Sequence, residues 1–366
     1  MRILIAFDKF KGSLDAPGAC AAIARGLRKH WPDAEITECP IADGGEGFVN
    51  ALAGPLHGRW IDAPAHDALG RPVTTRYLVA ETGGTTTAIM EMAEASGLWR
   101  IAPHERDPLH SDTRGTGEMI RHAIEHSGAQ TILLGIGGSA TNDGGAGMAA
   151  ALGVRFLNAN GETIAPTPAI LAQHLESVNT SGLLPLPRIQ VACDVDSPLL
   201  GPLGATRVFG PQKGADETAL PILETALEAI VRCSGGREHA TRPGAGAAGG
   251  LGFGLLHFAG AELVPGFERI AELTDLEKQM ETADLIITGE GSLDAQTLSG
   301  QGPIGIARLA KKHGKPVWAF CGRADQAARN SGNFDRITDL ASTGLPHDIL
   351  FSQTARLLEE LAAQVR

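Results

Sequence analysis

Carboxylates recur in this sequence where apolar runs end. Asp8 follows RILIAF, Asp43 and Glu46 follow EITECP, and Asp143 follows TILLGI. Asp194 closes RIQVAC, and Glu290 with Asp294 follows LIIT. Open α/β sheets bind ligands at the carboxyl ends of their strands. Carboxylates there can hold a divalent cation or take a proton from an attacking hydroxyl. A single Asp after a strand more often caps a helix; the recurrence of the set favours chemistry. Cations accompany them: Lys9 and Lys11 after the first run, Arg114 in SDTRGTGE, Arg207 and Lys213 in TRVFGPQKG. A guanidinium fork matches a carboxylate or a phosphate. Four glycine-rich clusters complete the set: DGGEG (43–47), GIGGSATNDGGAG (135–147), GAGAAGG (244–250) and TGEGSLDAQ (288–296). Without a Cβ, backbone N–H groups can face phosphate oxygens at a helix start. Four such clusters point to a polyphosphate ligand. None has the G-x-x-x-x-G-K-[ST] form, and 135–147 lacks the spacing and downstream acid of a dinucleotide fingerprint. No HExxH motif supports a transition-metal site. Ser139 is not in a G-x-S-x-G elbow, and Cys193 reads as a small core residue.

The elements that must position these residues alternate. Arg2–Phe7 reads as a strand, followed by a helix to about Lys29, with Ser13 or Asp15 as a candidate cap; Pro17 fits the first turn better if Asp15 is the cap. Further strands are expected at Glu35–Pro40, Thr131–Ile136, Leu285–Thr288, Val317–Cys321 and Ile337–Ala341. Helices are expected at Gly115–Ser127 and Thr354–Val365. Strands alternating with helices imply a doubly wound parallel sheet. Two stretches break the rhythm. Arg59–Met92 reads as hairpins around ALGRP and ETGGT. Val154–Gly214 reads as strands, VRFLNANGE, RIQVACDV and ATRVFG, with little helix between. The expected organisation is a discontinuous domain of residues 1–58, 113–153 and 240–366. A mixed α/β domain of residues 59–112 and 154–239 is inserted into it.

Composition narrows the classes. The chain has 366 residues, 43% of them hydrophobic and 20% charged, an ordinary globular balance. Its 47 glycines are nearly twice the usual share of about 7%. The net charge is −11, and no basic tract interleaves with aromatics, so nucleic acid is disfavoured as a partner. The five cysteines never form CxxC, which argues for reduced thiols and a cytoplasmic setting. The first apolar run is too short for a signal sequence. Residues Pro243–Ala261 carry no formal charge, but seven glycines interrupt them. They read as a buried loop followed by a core helix, with no membrane span.

Seven motifs occur in a fixed order: ADGGEG (42–47), TRGTGE (113–118), GIGGSATNDGGAGM (135–148), ACDV (192–195), GPQKGA (210–215), PGAGAAGG (243–250) and ITGEG (287–291). Together they resemble the type I glycerate kinase family of bacteria, from Ile5 to about Ala341. The resemblance implies ATP-dependent phosphorylation of D-glycerate with Mg²⁺, forming 2-phosphoglycerate. It also implies a Rossmann-like domain with a distinct second α/β domain. The first family motif resembles IAPDSYKGSL. Here it is IAFDKFKGSL, which keeps Asp8, Lys11 and Ser13. A family Gly-Lys pair before Pro-Ile-Gly is replaced by Gly300-Gln301.

The resulting expectations place glycerate in the cleft between the domains, bound by Arg114, Lys213 and Glu46. ATP lies on Gly137, Gly138, Ser139, Gly144, Gly145, Gly246, Gly249 and Gly289. Mg²⁺ is held by Glu290 and Asp294, and catalysis falls to Asp194, Asp8 and Lys11. Asp194 can be base or metal ligand, and Asp8 competes for either role. Alternatives are a kinase for another small hydroxy acid, or a nucleotide-binding regulatory protein without turnover. A homodimer is one open assembly state.

Overall fold

The computed structural model describes residues 1–42, 44–294 and 302–365. Asp43, Gln296, Gly300 and Gln301, singled out above, lie outside the described residues. The strands are β1 (Arg2–Phe7), β2 (Glu35–Glu38), β3 (Arg59–His66), β4 (Pro72–Thr82), β5 (Thr85–Glu91), β6 (Thr131–Gly135), β7 (Arg155–Leu157) and β8 (Ser177–Asn179). Then follow β9 (Arg188–Ala192), β10 (Glu262–Val264), β11 (Leu285–Gly289), β12 (Ser292–Leu293), β13 (Val317–Cys321), β14 (Arg323–Ala324) and β15 (Arg336–Asp339). Two compact units result. The first comprises Met1–Asp43, Asn50–His57 and Gly266–Arg366, the second Gly44–Val49 and Gly58–Pro265.

The first unit is built on a sheet ordered β15-β13-β11-β1-β2, with every pairing parallel. Numbered within the unit this is the doubly wound order 2-1-3-4-5, whose direction reverses between β1 and β11. Ile3 to Phe7 are all buried because helices cover both faces. Helices Ala16–His30 and Thr354–Ala363 pack on the face carrying Ile3, Ile5, Phe7 and Ile287. The helix Gly302–Lys312 packs against β1 and β11 as well. The Asp15 carboxylate accepts the Gly18 N–H at 2.9 Å, capping Ala16–His30 with Pro17 in its first turn. That is the start expected from sequence.

The second unit holds a mixed sheet ordered β10-β9-β6-β5-β4-β3. β10, β9, β6 and β5 pair in parallel, whereas β4 and β3 are antiparallel. The β4–β5 connection is Gly83-Gly84, both with positive φ, 59° and 76°. That is the two-residue hairpin turn that ETGGT announces.

Three details differ from expectation. Residues 113–153 and 240–265 belong to the second unit, because β6 hydrogen-bonds to β5 and β9, and β10 to β9. The ATRVFG segment is a short helix, Ala205–Phe209. Ala205 and Thr206 are buried while Arg207 and Val208 are exposed, a pattern a strand would not give. The core helix Ala247–Phe258 is present, but Ala248, Gly249 and Gly250 interrupt it with positive φ. Among the described residues, no helix is long and apolar enough to cross a membrane.

Candidate active site

In the first unit the strand-end groups gather where the sheet order reverses. Asp8 follows β1 and its N–H donates to Gly289 O at 3.0 Å. Asp8 is buried, only 7% exposed. It accepts the Lys9 N–H at 2.6 Å, and the Lys9 ammonium stands 3.9 Å away. A Cβ on Gly302 would meet Asp8 Oδ2 at 3.4 Å, so this carboxylate sits by the start of the helix Gly302–Lys312. A helix start favours negative charge. Glu290 directly follows β11 and is half-buried. Asp294 accepts from the Ser292 hydroxyl at 3.0 Å beside the β12–β14 pair. Lys11 is exposed on the turn between Phe10 and Leu14. Gly289 is glycine for packing: a Cβ there would lie 1.7 Å from Phe320 O.

In the second unit the motif loops interlock through their backbones. Gly137 donates to Gly44 O at 3.3 Å, and a Cβ on Gly137 would lie 2.4 Å from Gly45 Cα. A Cβ on Gly44 would meet Ala192 O at 2.8 Å. ADGGEG, GIGGS and the ACDV strand end are therefore neighbours. The Glu91 carboxylate holds the first of these loops, accepting from Gly47 N–H at 3.1 Å and Val49 N–H at 2.7 Å. Gly144 donates to Gly249 O at 3.1 Å, and a Cβ on Gly249 would sit 1.9 Å from Thr141 O. A Cβ on Gly145 would touch Gly254 Cα at 2.9 Å, and one on Gly246 would meet Pro198 O at 2.2 Å. Gly144, Gly145, Gly246 and Gly249 thus serve close backbone packing. Gly138 differs: it is exposed, has φ 74°, and a Cβ there would find only Ala93 Cβ at 3.7 Å.

A buried polar junction ties these loops to two helix starts. Asp143 is fully buried and accepts from Thr113 N–H and Oγ1 (both 2.8 Å), Gly147 N–H (2.9 Å) and Gly145 N–H (3.2 Å). Thr113 Oγ1 in turn accepts the Met148 N–H at 2.9 Å. Burial raises the Asp143 pKa, and the four donors oppose that rise. Asp112 accepts the Arg114 N–H at 2.8 Å. Burial, then the nearby Asp143 charge, push its carboxyl up to about 6. Such a group suits proton transfer near neutral pH. Lys213 is 2% exposed and donates to Ser139 Oγ at 2.7 Å and Thr141 O at 2.6 Å. Burial lowers its pKa to about 7. Lys213 therefore braces the GGSAT turn from inside. Thr141 Oγ1 and Asn142 Oδ1 are buried nearby without a hydrogen-bond partner.

The remaining expected residues lie at the surface of this unit. Arg114 opens the helix Arg114–His126 and is exposed, as are Glu46 and Asp194. Cys193 precedes Asp194; burial raises its thiol pKa to about 11, so the thiolate is scarce at neutral pH. His122 and His126 stand one turn apart on the same helix with rings stacked at 4.3 Å. Among the described residues, no group of three or more His, Cys, Asp or Glu is placed to hold a metal ion. The expected pair Glu290 and Asp294 supplies carboxylate oxygens, the donor type Mg²⁺ takes from one or two side chains, with water and phosphate completing the shell. Expected site residues thus divide into Asp8, Lys11, Gly289, Glu290 and Asp294 in the first unit and the others in the second. Sequence reasoning missed Glu91 and Asp112; Asp112 had a signal, standing two residues before Arg114.

The sequence model of the glycerate kinase family matches residues 3–366. The chain belongs to the glycerate kinase family. A member from Bacillus subtilis (strain 168), named glycerate kinase, is 42% identical over 100% of this chain and 97% of its own. The glycerate 2-kinase of Escherichia coli (strain K12) is 44% identical over 88% of this chain and 85% of its own. A crystal structure assigned to glycerate kinase 2 of Salmonella typhimurium LT2 superposes with a TM-score of 0.84 at 40% identity. It covers 99% of this chain and 96% of that one. Membership of the glycerate kinase family makes this chain a kinase, and the α/β architecture agrees with it.

Proposed function

We propose that this kinase transfers the γ-phosphoryl group of ATP to D-glycerate, forming 2-phosphoglycerate. The observation that carries the reading is the family match along residues 3–366, with a glycerate 2-kinase 44% identical among the relatives. Arg114, exposed at a helix start, binds the glycerate carboxylate through its guanidinium fork. Glu46, exposed on the loop that Glu91 braces, orients the substrate hydroxyls. Lys213 is withdrawn from direct substrate contact by its burial and acts by holding Ser139 and Thr141. Gly138 offers its N–H to a phosphate oxygen, and the packed glycines around it keep that turn rigid.

Asp194 takes the proton from the attacking hydroxyl. Two of the strand-end carboxylates Asp8, Glu290 and Asp294 would hold Mg²⁺, which when bound would neutralise charge on the transferring phosphoryl group. Lys11 supplies a nearby cation for the phosphates. Five free cysteines support a reducing, cytoplasmic setting. The test is a coupled ADP-release assay with ATP and D-glycerate. Turnover that requires both substrates is expected; ATP hydrolysis indifferent to glycerate would overturn the reading.

A further inference from the structure

An open cavity of about 640 Å³ runs along the outer side of the helix Arg114–His126 in the second unit. That volume lies within the range of small-ligand pockets. Arg114, Glu118 and Arg121 line it from positions i, i+4 and i+7 of the helix, one continuous face. Arg155, at the start of β7, lines it too, and Val154 and Ile164 give it an apolar wall. Three guanidiniums therefore share one concave space in a protein whose net charge is −11.

Their charges are not spent elsewhere. Among the described residues, none of the three guanidiniums stands within hydrogen-bond or ion-pair distance of a carboxylate. Arg121 Nε is buried with no hydrogen-bond partner. A buried donor left unmade is costly, so a ligand that satisfies it gains more than a surface contact would. Glu118 is turned to His66 and pairs with none of the three: its carboxylate accepts the His66 N–H at 2.9 Å and faces His66 Nδ1 at 3.0 Å. Three guanidiniums against one carboxylate leave the lining net positive, and a charged cleft with low-dielectric walls concentrates the opposite ion.

We propose that this cavity binds a small phosphorylated carboxylic acid. Its phosphate takes the Arg121 and Arg155 forks, which suit a dianion. Its carboxylate takes Arg114. Because Arg114 is then shared, the bound acid opposes glycerate; this last consequence rests on the substrate role of Arg114 proposed above. The product of the reaction has the required chemistry, so the cavity gives the enzyme a product-sensing site.

Calorimetric titration of 2-phosphoglycerate into the whole protein, without nucleotide, tests this, with inorganic phosphate as the comparison ligand. Binding to wild type is expected, with at least tenfold loss in Arg121→Gln and in Arg155→Gln. The second variant changes an exposed residue and keeps the test open should Arg121→Gln not fold. Inorganic phosphate should bind at least tenfold more weakly than 2-phosphoglycerate. Added 2-phosphoglycerate should raise the glycerate KM in wild type and much less in Arg155→Gln, whose basal kcat is unchanged. Undiminished binding in both folded variants would place the ligand elsewhere and overturn the proposal. Equal affinity for inorganic phosphate would overturn the carboxylate half of it. If only the substrate role of Arg114 is wrong, the KM effect disappears while the calorimetric losses remain.

Discussion

Asp194 and Asp8 show how burial separates two carboxylates that look alike in sequence. Asp194 is exposed beyond β9, while Asp8 is 7% exposed and beside a helix start. Asp194→Asn should lower kcat by about 10²–10⁴-fold with ATP affinity preserved, the size usual for a lost general base. Asp8→Asn should instead raise the Mg²⁺ concentration needed for half-maximal rate. Steady-state kinetics across a Mg²⁺ series separate the two. Near-normal turnover in Asp194→Asn would remove it as the base. Arg114→Ala should raise the glycerate KM at least tenfold and leave the ATP KM unchanged, since a lost charge-assisted contact costs about 2–5 kcal/mol.

Lys213 carries a prediction about stability instead. Its folded pKa is lowered from 10.5 to about 7 by burial. Between those values the unfolded chain holds a proton that the folded chain lacks. Stability from this group therefore rises as pH climbs from about 7 to about 10.5. Denaturation series across that window should show the rise in wild type, relative to Lys213→Met. Parallel pH dependence in the two proteins would show that Lys213 stays charged in the fold.

At the scale of elements, the glycine clusters were legible as tight turns after strands or before helices, but their division of labour was not. Gly138 and Gly249 both have positive φ, 74° and 68°. Only the second also has a carbonyl, Thr141 O, 1.9 Å from where a Cβ would go. Gly249→Ala should therefore destabilise severely, by more than about 4 kcal/mol, since it combines overpacking with backbone strain. Gly138→Ala should cost about 1–3 kcal/mol and stay folded, with weakened ATP binding. Thermal unfolding and nucleotide titration of the two variants check this contrast. If Gly138→Ala binds ATP normally, the phosphate site lies on another loop. Sequence could not separate these glycines, because the opposing carbonyl comes from more than 100 residues away. Asp15 and Gly83-Gly84 were readable for the opposite reason: cap and turn are decided by their immediate neighbours.

For the whole molecule, strand and helix types were largely evident, whereas the assignment of strands to sheets was not. β6 and β1 are both short apolar runs followed by glycine-rich or acidic loops. Nothing local tells β6 to pair with β5 and β9 and leaves β1 to pair with β2 and β11. Parallel pairing is long-range, so residues 113–153 carried no mark of the unit they join. The places of Asp8, Asp194 and Glu290 just after strands were nevertheless legible, because each follows an apolar run whichever sheet that run joins. Glu91 escaped notice because it ends a strand on which it looks like any alternating polar residue. The proposed reaction phosphorylates D-glycerate at carbon 2. NMR of the product formed from ATP and ¹³C-labelled D-glycerate tests it most directly. Phosphorus coupling at carbon 2 is expected, with one ADP released per product. Coupling at carbon 3, or ADP without a phosphorylated acid, would contradict it.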